Sequence, residues 1–459
     1  MILPGLRGRS VRSGVVKNNV RFGLGIFLFL LVYDGAIRKW LVNSAEQLVF
    51  ITKDVLLVAL IMVALSRGTR TMCAKIPSFV QLPLWLYVIW VVGEAVNPNL
   101  PNLLVGIWGG KSHLLYAGLI LLVPCAFVNL DDLFKTVSRI YPWIVVPVCG
   151  LAFLQLMFPA DSIINQQVRG GIDSIAHFGE TNLVRVAGTF SYISGMAAFV
   201  QVIVLLGVAL FLWGARSRFF LLGLGFALVT LPATGSRGVV VISAVGGVMM
   251  ILAGLLGRIT TARIAIRAIG VLAVLMVVSL VVQDTAWQAL AERAAGSRGD
   301  EGRAITAFTN AFDHMDQAGL IGFGAGAANL AAVALVSYVS PFSWLPAGTV
   351  FEEESGRMVL ELGVFGWALN LLMRVAMLWW ALSLLVRGAS RSIRAAAVLV
   401  LPIMALAVHQ GNGVFAPPVG AVYFWFCVAI LAMAQYEHNR INVKARSHAL
   451  RSRAIRALR

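Results

Sequence analysis

The sequence predicts an all-α, polytopic integral membrane protein of about twelve transmembrane helices, and three observations carry that prediction. Twelve hydrophobic segments follow one another along 459 residues. Hydrophobic residues make up 59% of the chain and charged ones 12%, with a mean hydropathy of +0.86, which leaves too little polar surface to cover a water-soluble body of this size. Wherever a short loop is rich in Lys and Arg, it falls on the same alternate side of the chain.

The expected spans are 22–33, 47–65, 79–96, 103–128, 140–158, 190–213, 219–232, 238–256, 268–282, 358–384, 395–410 and 417–435. Most reach the roughly 17–25 residues that a helix needs to cross a ~30 Å hydrocarbon core. The first, seventh and ninth are short. The fourth is broken by Gly109, Gly110, Lys111, Ser112 and His113, which reads as a kink or a cavity-lining stretch. Residues 1–21 form a basic N-terminal segment without a cleavable signal, 22–435 the transmembrane domain, and 436–459 a basic tail.

Basic residues set the orientation, because Lys and Arg in short loops resist translocation. Of 37 basic residues, 25 lie on one side, including Arg21, Arg67, Lys135, Arg216, Arg258, Arg391 and seven from Arg440 to Arg459. Both termini are therefore expected in the cytoplasm. The net charge of +17 follows from topology and calls for no nucleic acid; the tail either anchors the orientation or meets anionic membrane lipids. Among 20 carboxylates only Asp131, Asp132 and Glu437 clearly fall inside. Two long outer loops, about 159–189 and 283–357, the second a large loop before the tenth span, hold most of the polar chemistry.

Several familiar motifs fail on spacing. GIWGGKS has three residues between Gly106 and Gly110 where a phosphate loop needs four, and GFGAG from Gly322 to Gly326 has no βαβ unit around it. Cys73, Cys125, Cys149 and Cys427 form no CxxC pair, and the six histidines show no HExxH spacing, so neither a metal site nor a disulfide framework is indicated, and no cofactor is expected. No internal repeat is visible, which weakens a transporter built from inverted halves.

Two arginines stand at outer helix ends: Arg185 in RVAGTFSY, before the sixth span, and Arg237 in ATGSRGVV, between the seventh and eighth. Spans six and seven form a hairpin through the cytoplasm, so both arginines return to the outer boundary and can face one another. Arginine at that depth needs an anionic partner or water; for either residue alone, interfacial snorkelling is the simpler reading. Together, flanked by Gly, Ser and Thr, they suit phosphate: guanidinium groups bond it in bidentate fashion, and nearby helix starts offer backbone N–H groups. A polyprenyl diphosphate would present its charge there.

At this point the chain resembles the bacterial O-antigen ligase and O-antigen polymerase (Wzy-type) superfamily. The resemblance rests, in family order, on RVAGTF around Arg185, TGSRG around Arg237, GRAITAFTNAF from Gly302, GLIGFGAG from Gly319 and ELGVFGW from Glu361, over roughly residues 180–385. It implies a GT-C-like helical glycosyltransferase of the bacterial inner membrane that works on the periplasmic face. The implied donor is an undecaprenyl-diphosphate-linked oligosaccharide, with no nucleotide sugar, no metal, and a chain-length regulator as a possible partner. Arg185 and Arg237 carry over as diphosphate contacts, and Arg303 as a loop contact or a structural residue.

One departure bears on the reaction. Ligases of this superfamily have a His-Asn pair about nine residues before the Glu of the ELG-like stretch, where this chain has Glu352 and Glu353, and no histidine lies between His314 and His409. Glycan polymerisation is therefore favoured over ligation to lipid A core. In FEEESGR, Glu352 or Glu354 is expected to act as base toward the acceptor hydroxyl, with Arg357 as its partner; the bland alternative is a hydrated acidic loop end. Arg38 and Lys53 are expected to pair with Asp34, Glu46 or Asp54 more than to touch sugar. Trp40, Trp85, Trp90 and Trp344 read as aromatic-belt residues more than sugar platforms. His177 is a weaker acceptor contact, and Arg374 reaches either a cavity or the inner interface. A reading from another class is a lipid-linked oligosaccharide flippase or solute transporter, whose arginines would line a passage.

Overall fold

The computed structural model describes residues 5–42, 46–66, 76–168, 175–178, 183–296, 300–336, 340–346, 353–410 and 418–457. Among these, the only β-type pairing is a single bridge between His177 and Val184; the rest is helix and connection. The helices are α1 (Gly5–Ala36), α2 (Glu46–Ser66), α3 (Ser78–Glu94), α4 (Leu103–Leu114), α5 (Leu119–Ala126), α6 (Leu130–Met157), α7 (Ile193–Trp213), α8 (Arg218–Val229), α9 (Arg237–Leu256), α10 (Ala262–Val282), α11 (Asp284–Gly296), α12 (Asp300–Asp313), α13 (Met315–Ala318), α14 (Leu330–Leu335), α15 (Glu354–Arg387), α16 (Arg391–His409) and α17 (Pro418–Ala457).

Ten of the helical stretches are long and apolar enough to cross a membrane, and α3 and α8 are shorter apolar helices. All twelve expected segments fall on these elements, but several bounds move. The first becomes Asn18–Leu41, continuous with a helix that starts at Gly5, and the fifth begins at Leu130. Helix α8 has twelve residues, about 18 Å of rise against a ~30 Å core. The basic tail is not separate: α17 runs unbroken to Ala457. The expected outer loop 283–357 holds four helices, and α15 already begins at Glu354.

Local chemistry accounts for the starts. Asn102, Asn129 and Ser390 cap α4, α6 and α16 by accepting from Val105, Asp132 and Ile393 N–H. Asp131 and Asp132 add negative charge in the first turn of α6. Helix α16 and the first half of α17 are almost wholly buried and form the centre of the bundle, while α10 lies at its edge with Val274, Val277 and Val281 outward. Trp85 is 61% exposed and points away from the bundle, as an aromatic-belt residue does.

The break in the fourth segment lies later than expected. Residues 103–114 are regular helix, and the interruption is a 3₁₀ turn, Leu115–Gly118. The glycines serve close approach instead: a Cβ on Gly106 would strike the Ala95 carbonyl, and one on Gly109 the Ala325–Gly326 backbone.

Helix α15 is two helices joined at Gly363, which has φ +69. The glycine-rich segment 319–327 satisfies the backbone groups that this break releases. Phe323 N–H donates to Leu360 O (2.8 Å), Gly324 N–H to Glu361 O (3.0 Å), and Val364 N–H to Gly319 O (3.0 Å). Trp90 Nε1 donates to Leu362 O at 2.9 Å. GLIGFGAG and ELGVFGW are thus the two halves of one interlock, and the φ-positive Gly322, Gly324 and Gly326 let the loop follow the break.

Contacts sort the helix ends into two sets. At one end Arg21 meets Asp132 and Thr136, Arg391 meets Leu212 O, Arg394 meets Gly257 O, and Glu437 accepts from Leu130 N–H. At the other, Arg38 meets Ser191, Trp40 meets Ile163 O, Arg185 meets Thr234 O, and Ala325 N–H meets Glu94 O. The first set is the basic end that the loop charges define.

Candidate functional site

Arg185 and the TGSRG turn lie together at the end opposite the basic one. Between α8 and α9 a 3₁₀ turn, Pro232–Thr234, ends at Gly235, which is left-handed (φ 63, ψ 15). Arg185 Nε donates to Thr234 O at 3.3 Å, and Val186 N–H donates to Ala233 O at 3.3 Å. Any Cβ on Gly235 would stand 2.5 Å from Arg185 Nε and 2.8 Å from its Cγ. That glycine is required both by its dihedral and by the arginine lying across it. Arg237 is the first residue of α9, two positions beyond, and Ser236 does not cap the helix with its side chain. Arg185 thus lies across the turn that leads into Arg237.

The chain after Arg185 is clamped from two sides. Gly188 N–H donates to Gln155 Oε1 (2.7 Å), and Thr189 Oγ1 donates to Val32 O (2.6 Å). Arg38 Nη1 donates to Ser191 Oγ (3.0 Å), and Lys39 Nζ lies 3.5 Å from Gly188 O. Helix α1 comes this close because Gly35 has no side chain to strike the backbone of 189–191. Its end then widens into a π-helical turn, Ile37–Leu41.

Beside this segment, α2 and α4 pair their charges. Lys53 Nζ is 2.5 Å from Asp34 Oδ2, and Lys111 Nζ is 2.6 Å from Asp54 Oδ2, whose other oxygen accepts from Tyr116 OH. Lys53 and Lys111 also lie over the rings of Phe50 and Trp108, each at 3.8 Å. Lys53 therefore pairs as expected, whereas Arg38 reaches Ser191.

The FEEESGR region differs from its expectation. Glu352 lies outside the described residues. Glu354 is fully buried at the start of α15, and its Oε1 accepts from Arg374 Nη2 at 2.7 Å. Arg374 also donates to Ala407 O at 2.5 Å. The expected partner, Arg357, instead sits one helical turn from Glu361 and acts on it electrostatically. Glu361 Oε2 lies 2.9 Å from His113 Nε2, and His113 Nδ1 lies 2.8 Å from Tyr87 OH. Asn370, next to that hydroxyl, is wholly buried without a well-formed hydrogen bond. A chain of buried polar groups thus crosses from α3 through α4 to α15, and ionisable groups inside a membrane bundle mark function or a structural lock.

The other candidates resolve as follows. Arg303 lies in α12, with its side chain outside the described residues. His177 pairs its backbone with Val184 beside Arg185. Trp40, Trp90 and Trp344 donate to the carbonyls of Ile163, Leu362 and Ala327, which makes them backbone ties. Arg374 reaches the end opposite the basic one. Lys39, His113 and Glu361 are not among the site residues expected from the sequence; the signal for each is an ionisable residue inside an apolar helix. Among the described residues, no three of His, Cys, Asp and Glu gather as metal ligands. No protein-family model matches this chain, and no curated protein matches it.

Proposed function

We propose that the chain is a glycosyltransferase of bacterial surface-polysaccharide assembly. In this reading twelve helices cross the inner membrane in a GT-C-like arrangement, and the basic end and both termini face the cytoplasm. At the periplasmic face the enzyme extends a glycan carried on undecaprenyl diphosphate. The observation that carries the reading is the meeting of Arg185 with the Thr234–Arg237 turn at the end opposite the basic one.

The chemistry follows from the charge. An acceptor hydroxyl attacks the anomeric carbon of the donor, the bond from that carbon to the diphosphate oxygen breaks, and the diphosphate leaves with increased charge. Fixed guanidinium groups stabilise that charge more in the transition state than in the ground state, which is where a contact accelerates the reaction. The hydroxyl proton goes to a carboxylate of the FEEESGR segment. Glu354 is committed to Arg374 and inaccessible, so we assign that role to Glu352.

Polymerisation is favoured over ligation because no histidine stands between His314 and His409. Incubating the purified protein with its lipid-linked repeat unit tests the reading: longer glycans support it, and an unchanged glycan in active membranes refutes it.

A further inference from the structure

Lys39 is 3% exposed and has no carboxylate within ion-pair distance among the described residues. Among the described residues its ammonium meets only the Gly188 carbonyl, at the long distance of 3.5 Å, and the Trp40 ring, at 5.8 Å. An ammonium taken out of water is stable only with a counter-charge and hydrogen bonds, and these two contacts supply neither in full. Nearby lysines show the contrast: Lys53 and Lys111 each hold an aspartate.

The fold directs this uncompensated charge at the arginine site. Lys39 sits in a π-helical turn, a rare element that occurs frequently at functional sites. The turn closes through Val42 N–H to Ile37 O at 2.9 Å and puts Arg38 and Lys39 on the segment 188–191. Three residues of extended chain separate Gly188 from Arg185, at most about 11 Å. The far side of Arg185 is the turn that ends in Arg237. Arg38 and Lys39 of α1 thus lie on the segment that begins at Arg185, and the turn that Arg185 crosses leads into Arg237 at the start of α9.

We propose that Lys39 is a diphosphate-binding residue, completing with Arg185 and Arg237 a site for a prenyl-linked diphosphate. The inference rests on the function proposed above and adds the counter-ion of a buried lysine. The bound anion replaces the missing partner of the ammonium, so ligand binding and local stability are coupled.

The test uses the full-length protein in uncharged phosphatidylcholine nanodiscs, with farnesyl diphosphate as the probe, inorganic pyrophosphate as the lipid-free arm and farnesol as the uncharged arm. We expect Lys39→Gln and Lys39→Met to weaken farnesyl diphosphate binding at least tenfold. Farnesol binding should be unchanged, and the apo melting temperature should hold or rise because an unpaired buried charge is gone. Lys135→Gln, at the basic end, is expected to bind as wild type does. An equal loss for inorganic pyrophosphate supports the same site and places recognition in the diphosphate; a loss confined to the farnesyl compound supports recognition of the prenyl ester. Lys39 variants that bind farnesyl diphosphate like wild type, while Arg237→Ala does not, overturn the role of Lys39 alone. A wild type that binds no diphosphate overturns the proposed function as well.

Discussion

Glu354 Oε1 and Arg374 Nη2 lie 2.7 Å apart although twenty residues of one helical run separate them. An unbroken helix would hold those positions about 30 Å apart. The pair therefore requires the reversal at Gly363 and fastens its two arms. Segment 319–327 bonds to the turn between those arms, so the ion pair and the glycine interlock hold the same hairpin from opposite ends.

Breaking that pair should cost far more than replacing it. Arg374→Met or Glu354→Gln leaves a buried polar or charged group without its partner, a loss of about 3–5 kcal/mol. The double variant should recover much of it. Chemical denaturation in detergent for all three variants gives the coupling directly, and strictly additive losses would show that the two side chains do not act as a pair.

Gly235→Ala should disarm the arginine site without unfolding the bundle. The left-handed backbone costs a non-glycine residue about 1–2 kcal/mol, and the added methyl must displace the Arg185 side chain. Diphosphate affinity should fall with little change in helical content. Unaltered affinity, read by titration with farnesyl diphosphate, contradicts the placement of Arg185 across that glycine.

The two glutamates should separate cleanly. Glu352→Gln should suppress single-turnover transfer with donor affinity and stability retained, because the amide keeps size but takes up no proton. Glu354→Gln should appear first in stability. Wild-type transfer should decline as pH falls through the pKa of the base, since only the carboxylate accepts the proton. Full transfer by Glu352→Gln moves the base elsewhere, with His177 the next candidate.

Sidedness is open to chemical labelling. Asp161 and Ala389 are both exposed, at opposite ends of the bundle. In intact cells, with the native cysteines replaced, cysteine at position 161 should react with an impermeant thiol reagent and cysteine at 389 should not. The reverse pattern inverts the orientation and moves the proposed site to the cytoplasm.

Much of this fold was legible because hydropathy is a local signal. Each apolar segment lies on a helix, and the alternation of basic loops foretold which helix ends meet. Arg185 and Arg237 could be brought together from sequence because two spans, a known length each, separate them. The rest depends on distant contacts that no local pattern carries. His113 and Glu361 are 248 positions apart, and Trp90 meets Leu362 across 272. Gly109 looked like a breaker because its neighbour in space, the 325–326 backbone, is invisible from its neighbours in sequence. Glu354 reads from the sequence as a base partnered by Arg357 for the same reason: its partner in space, Arg374, lies beyond a helix break that a hydropathy profile averages away.

In the proposed function Arg185 and Arg237, at the end opposite the basic one, stabilise a departing diphosphate. Single-turnover extension of the lipid-linked repeat unit by Arg237→Lys tests it most directly, since lysine keeps the charge and loses the planar fork. Losing one such contact costs on the order of 2–4 kcal/mol of barrier by analogy with oxyanion donors, so the rate should fall roughly 10²-fold, with normal expression and melting temperature. Extension at the wild-type rate by this variant would contradict it and leave Arg237 an interfacial anchor.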